Sequence, residues 1–261
     1  MKGKNAIVTG STQGVGEAIS RKLISQGLSN LIICGRNNAK GEKLSKELTD
    51  LGCNTIYVQS DLTNLNDCNK IIDVATESFN TIDILVNSAG TTDRGTLIDT
   101  TPELFDKIFA VNVRAPFFLM SGAVENMIAN NISGSILNII SMSSHGGQPK
   151  LSAYSSSKGA LVTLTKNAAF AYMKDKIRVN GLNIGWSDTP GEHKIQIEND
   201  KAPVDWLINA EKNQPMGRLI KPYEIAEVSD FILSKKSGMM TGVIIDYDQS
   251  VHGANYTPPR P

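Results

Sequence analysis

Tyr154 and Lys158 stand four residues apart in the segment Tyr-Ser-Ser-Ser-Lys. On a helix that spacing puts both side chains on one face, where an ammonium beside a phenol favours the phenolate. At ~4 Å and an effective dielectric near ~20 the attraction is roughly 4 kcal/mol, enough to draw a phenol from ~10 toward neutral pH and make it a proton-transfer group. Ser141, thirteen residues before the tyrosine, adds a hydroxyl to this set. The competing reading of the pair alone is a surface tyrosine beside a solvated lysine.

A second constellation lies near the start of the chain, in Thr9-Gly10-Ser11-Thr12-Gln13-Gly14-Val15-Gly16. It follows the apolar run Asn5 to Thr9 and leads into the helical period Val15, Ile19, Leu23. Glycines between a strand and a helix permit a tight turn and a close approach of backbone to a pyrophosphate, whose charge the helix N-terminus favours. The alternative is a purely structural turn. The second apolar run ends Ile33-Cys34-Gly35-Arg36-Asn37, where a site for NAD would carry a carboxylate for the ribose hydroxyls. Glycine removes that repulsion and Arg36 offers a bidentate partner to a 2′-phosphate, which favours NADP over NAD. The other reading of Arg36 is a solvated strand-end arginine.

These groups need a scaffold, and the chain supplies one. Short β-branched runs at 5–9, 30–34, 55–59, 82–86, 135–140, 176–182 and 242–246 alternate with helical segments, including 102–129 and 152–173. That alternation predicts an α/β fold with a doubly wound, seven-stranded parallel sheet of the Rossmann kind, covered on both faces. Thr101-Pro102-Glu103-Leu104 predicts a capped helix start. The stretch 185–214 holds Pro190, Gly191, Pro203 and both tryptophans without strand period, and reads as a substrate-covering insertion with short helices. We expect one domain over 1–254 and an extended, proline-containing tail over 255–261.

Composition narrows the partners. With 26 basic and 26 acidic residues and no basic run, neither nucleic acid nor an anionic membrane is expected. The first strand begins too early for a cleavable leader and no apolar run approaches the ~20 residues of a membrane span, so a cytoplasmic location is expected. Cys34, Cys53 and Cys68 form neither a disulfide framework nor a CxxC pair, and the three histidines lack metal-ligand spacing; reduced thiols and no metal are expected.

With these residues assembled, the chain resembles the short-chain dehydrogenase/reductase superfamily from about Lys4 to Asp246. The TGxxxGxG pattern is Thr9 to Gly16, and the family's adenine-contacting acid is similar to Asp61, followed by Leu62, in Ser60-Asp61-Leu62-Thr63. The Asn-Asn-Ala-Gly motif appears as Asn87-Ser88-Ala89-Gly90, with serine at its second position. The catalytic tetrad of the family maps onto Asn112, Ser141, Tyr154 and Lys158, the customary spacing selecting Ser141 over Ser143 and Ser144. The motif Asn-x-x-x-Pro-Gly reads Asn180 to Gly185 with isoleucine for proline, and Thr189 is placed to contact the nicotinamide carboxamide.

The resemblance implies that Tyr154 transfers a proton, that Ser141 bonds the substrate oxygen, and that Lys158 lowers the tyrosine pKa and binds the nicotinamide ribose. Asn112 would interrupt its helix to hold a water. It further implies substrate contacts from His145, Gln148, Trp186, Glu192, His193 and Trp206, a polar and aromatic set suited to a hydroxylated small molecule. The simpler readings are lid packing for Trp206 and solvation for His193. A homodimer or homotetramer built on the helices of Asn112 and Tyr154 is implied, and Asp246-Tyr247-Asp248 in place of the family's Asp-Gly-Gly frees Asp248 or Gln249 to line a site, including a neighbour's. The expected activity is hydride transfer between NAD(P), NADP favoured, and a sugar, polyol or hydroxy ketone. The alternatives are a 3-oxoacyl thioester reductase and a catalytically weak dinucleotide sensor.

Overall fold

The computed structural model describes residues 1–252, so the segment 255–261 expected to be extended lies outside the described residues. Seven strands form one parallel sheet: β1 (Asn5–Val8), β2 (Asn30–Gly35), β3 (Asn54–Gln59), β4 (Ile84–Asn87), β5 (Ser135–Ile139), β6 (Arg178–Ile184) and β7 (Ile244–Tyr247). Their spatial order is β3-β2-β1-β4-β5-β6-β7, as a doubly wound sheet requires. The order reverses between β1 and β4, and a crevice opens there at the carboxyl ends of the strands.

Alternation along each strand builds two cores. Ala6, Val8, Leu31 and Ile33 face one way, onto α1 (Gly14–Ser25), α2 (Asn38–Asp50) and α9 (Pro222–Leu233), through Ile19, Leu23, Leu48 and Ile225. Ile7, Ile32, Leu85 and Ile136 face the other way, onto α3 (Leu65–Phe79) and α5 (Ala115–Ala129), through Ile71, Leu119 and Val124. Both faces are covered, which explains the continuous apolar runs.

The expected helix over 102–129 is three pieces: α4 (Pro102–Phe109), a π turn at Ala110–Arg114, and α5. Thr101 caps α4, its hydroxyl accepting from Leu104 N at 3.2 Å. Pro116 explains the π turn, because it has no N–H to offer the Asn112 carbonyl and the ladder must slip by one residue. By length and composition this 28-residue stretch is long and apolar enough to cross a bilayer, a test that core helices also meet, and half of its most apolar window is buried in the fold.

β6 and β7 begin two residues later than expected, at Arg178 and Ile244. A 3₁₀ turn at Met173–Asp175 and a left-handed Lys176 (φ 62°) consume the residues assigned to the start of β6. α6 (Ser152–Tyr172) precedes them. The 185–214 stretch contains α7 (Pro190–Glu198) and α8 (Trp206–Lys212) over the end of the sheet.

Candidate active site

A cleft of about 2210 Å³ opens along the carboxyl edge of the sheet. At its nucleotide end the β1–α1 loop is fixed from two sides. The Thr9 hydroxyl accepts from Ser88 N and Ala89 N, both at 3.1 Å, tying the loop to the turn after β4. The Ser11 hydroxyl donates to Val8 O at 2.8 Å and accepts from Cys34 N at 2.9 Å, tying it to β2. Gly10 (φ +61°) lies so close to the next turn that a Cβ would sit 2.7 Å from Ala89 Cα. Only glycine fits both the conformation and the space.

Thr12, Gln13, Gly14, Val15 and Gly16 line the cleft with Gly10, as do Arg36, Asp61, Leu62, Ala89 and Gly90. Ser11 and Asn87, expected among the cofactor contacts, do not line it. Ser11 is fully buried with its N–H on Cys34 O at 3.3 Å, and Asn87 donates to Asn138 Oδ1 at 2.8 Å beneath the sheet edge. Both hold the walls from behind. Asp61 is fixed by Thr63, whose N–H and hydroxyl donate to it at 2.9 and 2.8 Å, and the Thr63 backbone bond chiefly holds its carboxyl below the usual range.

These residues fit a dinucleotide. Gln13 gives α1 no side-chain cap, leaving first-turn N–H groups for an anion, and Ser88 Oγ is buried without a partner. At Gly90 a Cβ would stand 3.5 Å from both Asn112 Oδ1 and Lys158 Nζ, so its absence keeps the floor open beside the lysine.

The expected tetrad converges at the far side of the same cleft. Ser141 follows β5 and caps a 3₁₀ turn at Met142–His145, its hydroxyl accepting from Ser143 N at 3.2 Å. Ser143 is committed to Gln148 and Ser144 to Asn183 Oδ1 at 3.3 Å, which leaves Ser141 beside the phenol. Tyr154 and Lys158 project from α6, 8 % and 4 % exposed. Lys158 Nζ donates to Ile139 O at 3.0 Å and stands 5.8 Å from the Tyr154 ring centroid.

This geometry corrects the pairing argument from spacing. Burial pushes the Tyr154 phenol up to about 12, only partly offset by the Ser141 hydroxyl, and burial pushes Lys158 down to about 8. Desolvation dominates, and of the charges that reach the phenol Glu192 opposes its ionisation while Arg94 favours it. At neutral pH the phenol therefore carries its proton, as a general acid must.

Asn112 is fully buried in the π turn. Its Oδ1 accepts from Thr91 N, and its Nδ2 donates to Thr91 O and Ser157 Oγ, all at 3.0 Å. The side-chain amide is held by protein partners at both its oxygen and its nitrogen.

At the substrate end His145, Gln148, Trp186 and Glu192 line the cleft with Gly185 and Thr189. His193 and Trp206 do not. His193 bonds Asp188 at 2.7 Å, and Trp206 packs with Ala210 and Leu219 in a small lid core, stacked 5.9 Å from Trp186. Their apolar and ionic partners inside the insertion outcompete the cleft. Asp248 lines the cleft of its own chain, while Gln249 is held by Arg218 O at 2.7 Å and Met216 N at 2.8 Å. Arg94 was not singled out from sequence, yet it spans to the lid, with Nη2 3.0 Å from Asp200 and 3.6 Å from Glu192. Its only sequence signal is a charge shortly after the Asn87–Gly90 motif.

Comparison with known proteins agrees with this geometry. The family profile described as short chain dehydrogenase matches residues 4–200. The chain is similar to an NADP-dependent (R)-specific alcohol dehydrogenase of Lentilactobacillus kefiri, 33 % identical with 93 % of this chain and 94 % of the relative covered. It is also similar to glucose 1-dehydrogenase 2 of Bacillus subtilis, 27 % identical over 95 % and 94 % of the two chains. Among solved structures, a 3-ketoacyl-(acyl-carrier-protein) reductase from Brucella melitensis, complexed with NADH, superposes with a TM-score of 0.82 at 30 % identity, covering 95 % of this chain and 98 % of that one. A profile matched over most of its length, on a sheet of this order, makes the chain an oxidoreductase of the short-chain dehydrogenase family.

Proposed function

We propose that the protein interconverts an alcohol and a carbonyl on a small, hydroxylated substrate, using NADP(H) in preference to NAD(H). The observation that supports this reading is a single cleft that joins Arg36 at the end of β2 to Tyr154, Ser141 and Lys158. Position 35 carries no carboxylate to repel a 2′-phosphate beside the Arg36 guanidinium.

The bound nicotinamide would supply or accept the hydride. In reduction Tyr154 gives its phenolic proton to the carbonyl oxygen, and Ser141 donates a hydrogen bond to the same oxygen. Lys158, charged below pH about 8, is aimed by its bond to Ile139 O toward the floor beside Gly90, where a ribose would lie. In oxidation the Tyr154 phenolate would take the hydroxyl proton back from the alcohol. The polar wall of Gln148, Glu192 and His145 supports a hydroxylated substrate, because Gln148 Nε2 and Glu192 Oε2 have no protein partner among the described residues and an apolar ligand would leave them so at about 1–3 kcal/mol each.

The test is turnover of sugars, polyols, hydroxy ketones, acyl thioesters and apolar ketones with NADPH/NADP and NADH/NAD, read from absorbance of the reduced nicotinamide. We expect the hydroxylated compounds with NADP(H) to give the highest kcat/KM. Preference for acyl thioesters would favour the thioester reductase reading, and absence of turnover with all of them would favour a sensor.

A further inference from the structure

The segment Thr189-Pro190-Gly191-Glu192 has the form of a capping box, a threonine with glutamate three residues on at the start of a helix. In such a box the glutamate reaches back to the N-cap N–H. At α9 that reach is made, where Lys221 N donates to Glu224 Oε2 at 2.8 Å. In α7 only half is made: Glu192 N donates to Thr189 Oγ1 at 3.1 Å, but the carboxylate turns away.

Three donors hold it there. Trp186 Nε1 at 2.9 Å, Gln196 Nε2 at 2.8 Å and Arg94 Nη2 at 3.6 Å all address Oε1. Oε2 has no hydrogen-bond partner among the described residues, although the Glu192 side chain is only 15 % exposed. It lines the same cleft as Tyr154, near enough for its charge to oppose ionisation of the phenol. A carboxylate oxygen whose partner oxygen is held from one side, and which itself opens onto the cleft, needs a donor once a ligand displaces its water.

We propose that Glu192 is the specificity residue of this site, its Oε2 accepting a hydrogen bond from a second hydroxyl of the substrate beyond the one oxidised or formed. The assignment rests on the alcohol–carbonyl reading above and sharpens it in two ways. A substrate without that hydroxyl leaves Oε2 unpaired and is turned over poorly. A substrate with a carboxylate there is repelled, because Arg94 is already shared between Glu192 and Asp200 and the trio carries one net negative charge.

Glu192→Gln tests this with little change of shape. The amide oxygen can keep the bonds from Trp186, Gln196 and Arg94, while an NH2 donor replaces Oε2. The full-length enzyme with NADPH is assayed on glyceraldehyde, propanal and glyoxylate, and ligand binding is followed separately by tryptophan fluorescence with NADP and glycerol or propanol, since Trp186 bonds Glu192 directly. We expect wild type to favour glyceraldehyde over propanal by about tenfold or more, and Glu192→Gln to lower glyceraldehyde more than propanal until that preference is lost, while glyoxylate gains relative to propanal.

If Glu192→Gln lowers all three aldehydes by one common factor, or leaves the glyceraldehyde-to-propanal ratio intact, the residue only shapes the lid and the proposal is overturned. A wild-type enzyme that prefers propanal overturns the hydroxylated-substrate reading and this assignment together. Absence of both turnover and a glycerol-dependent fluorescence change has the same outcome.

Discussion

Thr91 and Asn112 clasp each other through both main-chain polar groups of Thr91: the Asn112 amide accepts from Thr91 N and donates to Thr91 O, each at 3.0 Å. The clasp joins the loop after β4, which floors the cleft, to the π turn of the long helix. Asn112→Asp keeps the acceptor but sets a carboxylate oxygen against Thr91 O and the Ser157 hydroxyl. We expect a loss of about 1–3 kcal/mol of stability together with reduced kcat. Thermal unfolding and turnover, compared with wild type, check this; an unchanged Tm would remove the clasp from the account of the site.

Tyr154→Phe should preserve packing and remove only the transferable proton. We expect kcat to fall by about 10²–10⁴-fold, with NADPH affinity within about threefold of wild type. Lys158→Ala should impair both, since Nζ sits at the floor beside Gly90 as well as beside the phenol. Steady-state rates and NADPH fluorescence titration separate the two effects.

Burial moves the two groups of α6 in opposite directions, and each leaves a signature in stability. Lys158 is depressed from 10.5 to about 8, so between those values the unfolded chain binds more protons; stability rises with pH across this window and is lost again as pH falls to 8. Tyr154 is raised from 10.0 to about 12, so the unfolded phenol ionises first and stability falls from pH 10 to 12. Chemical denaturation from pH 7 to 10 should show the rise in wild type and a flatter profile in Lys158→Met. In the same experiment series, kcat/KM for reduction should decline above pH about 8 as Lys158 loses its charge, with the phenol still protonated.

Cofactor choice is best tested at Arg36. Arg36→Ala should lower kcat/KM for NADPH by about tenfold or more and leave NADH nearly unaffected. The reverse design, Gly35→Asp, is obstructed: a Cβ at 35 would lie 2.7 Å from Thr12 Oγ1 and 2.9 Å from its Cγ2, so the acid would have to be paired with Thr12→Gly. A wild-type enzyme tenfold in favour of NADH would contradict the NADP assignment.

The parallel sheet was legible because burial on both faces leaves continuous runs such as Leu31-Ile32-Ile33, and the nucleotide turn because few sequences other than Gly10–Gly16 satisfy its conformation and spacing. The π turn was also legible in principle, since Pro116 forbids an α-helical partner for Asn112. The protonation state of Tyr154 was not: the spacing Tyr154–Lys158 gives a pair energy, and only three-dimensional burial gives the opposing desolvation. Of the two readings of Trp206 the structure shows lid packing, and His193 stands outside the cleft beside Asp188. Nothing in the local sequence says that Asp188 and Leu219, the latter thirteen residues past Trp206, will claim them.

Ser11 and Cys34 hold the nucleotide loop to β2, and the Cys34 thiol lies beneath that joint, fully buried and raised by burial to about 11. A thiol reagent can therefore reach it only while the joint is apart. The labelling rate of Cys34 is a clock for the breathing of the loop, and a dinucleotide that bridges the loop should slow that clock in proportion to its occupancy, whether or not any substrate is turned over.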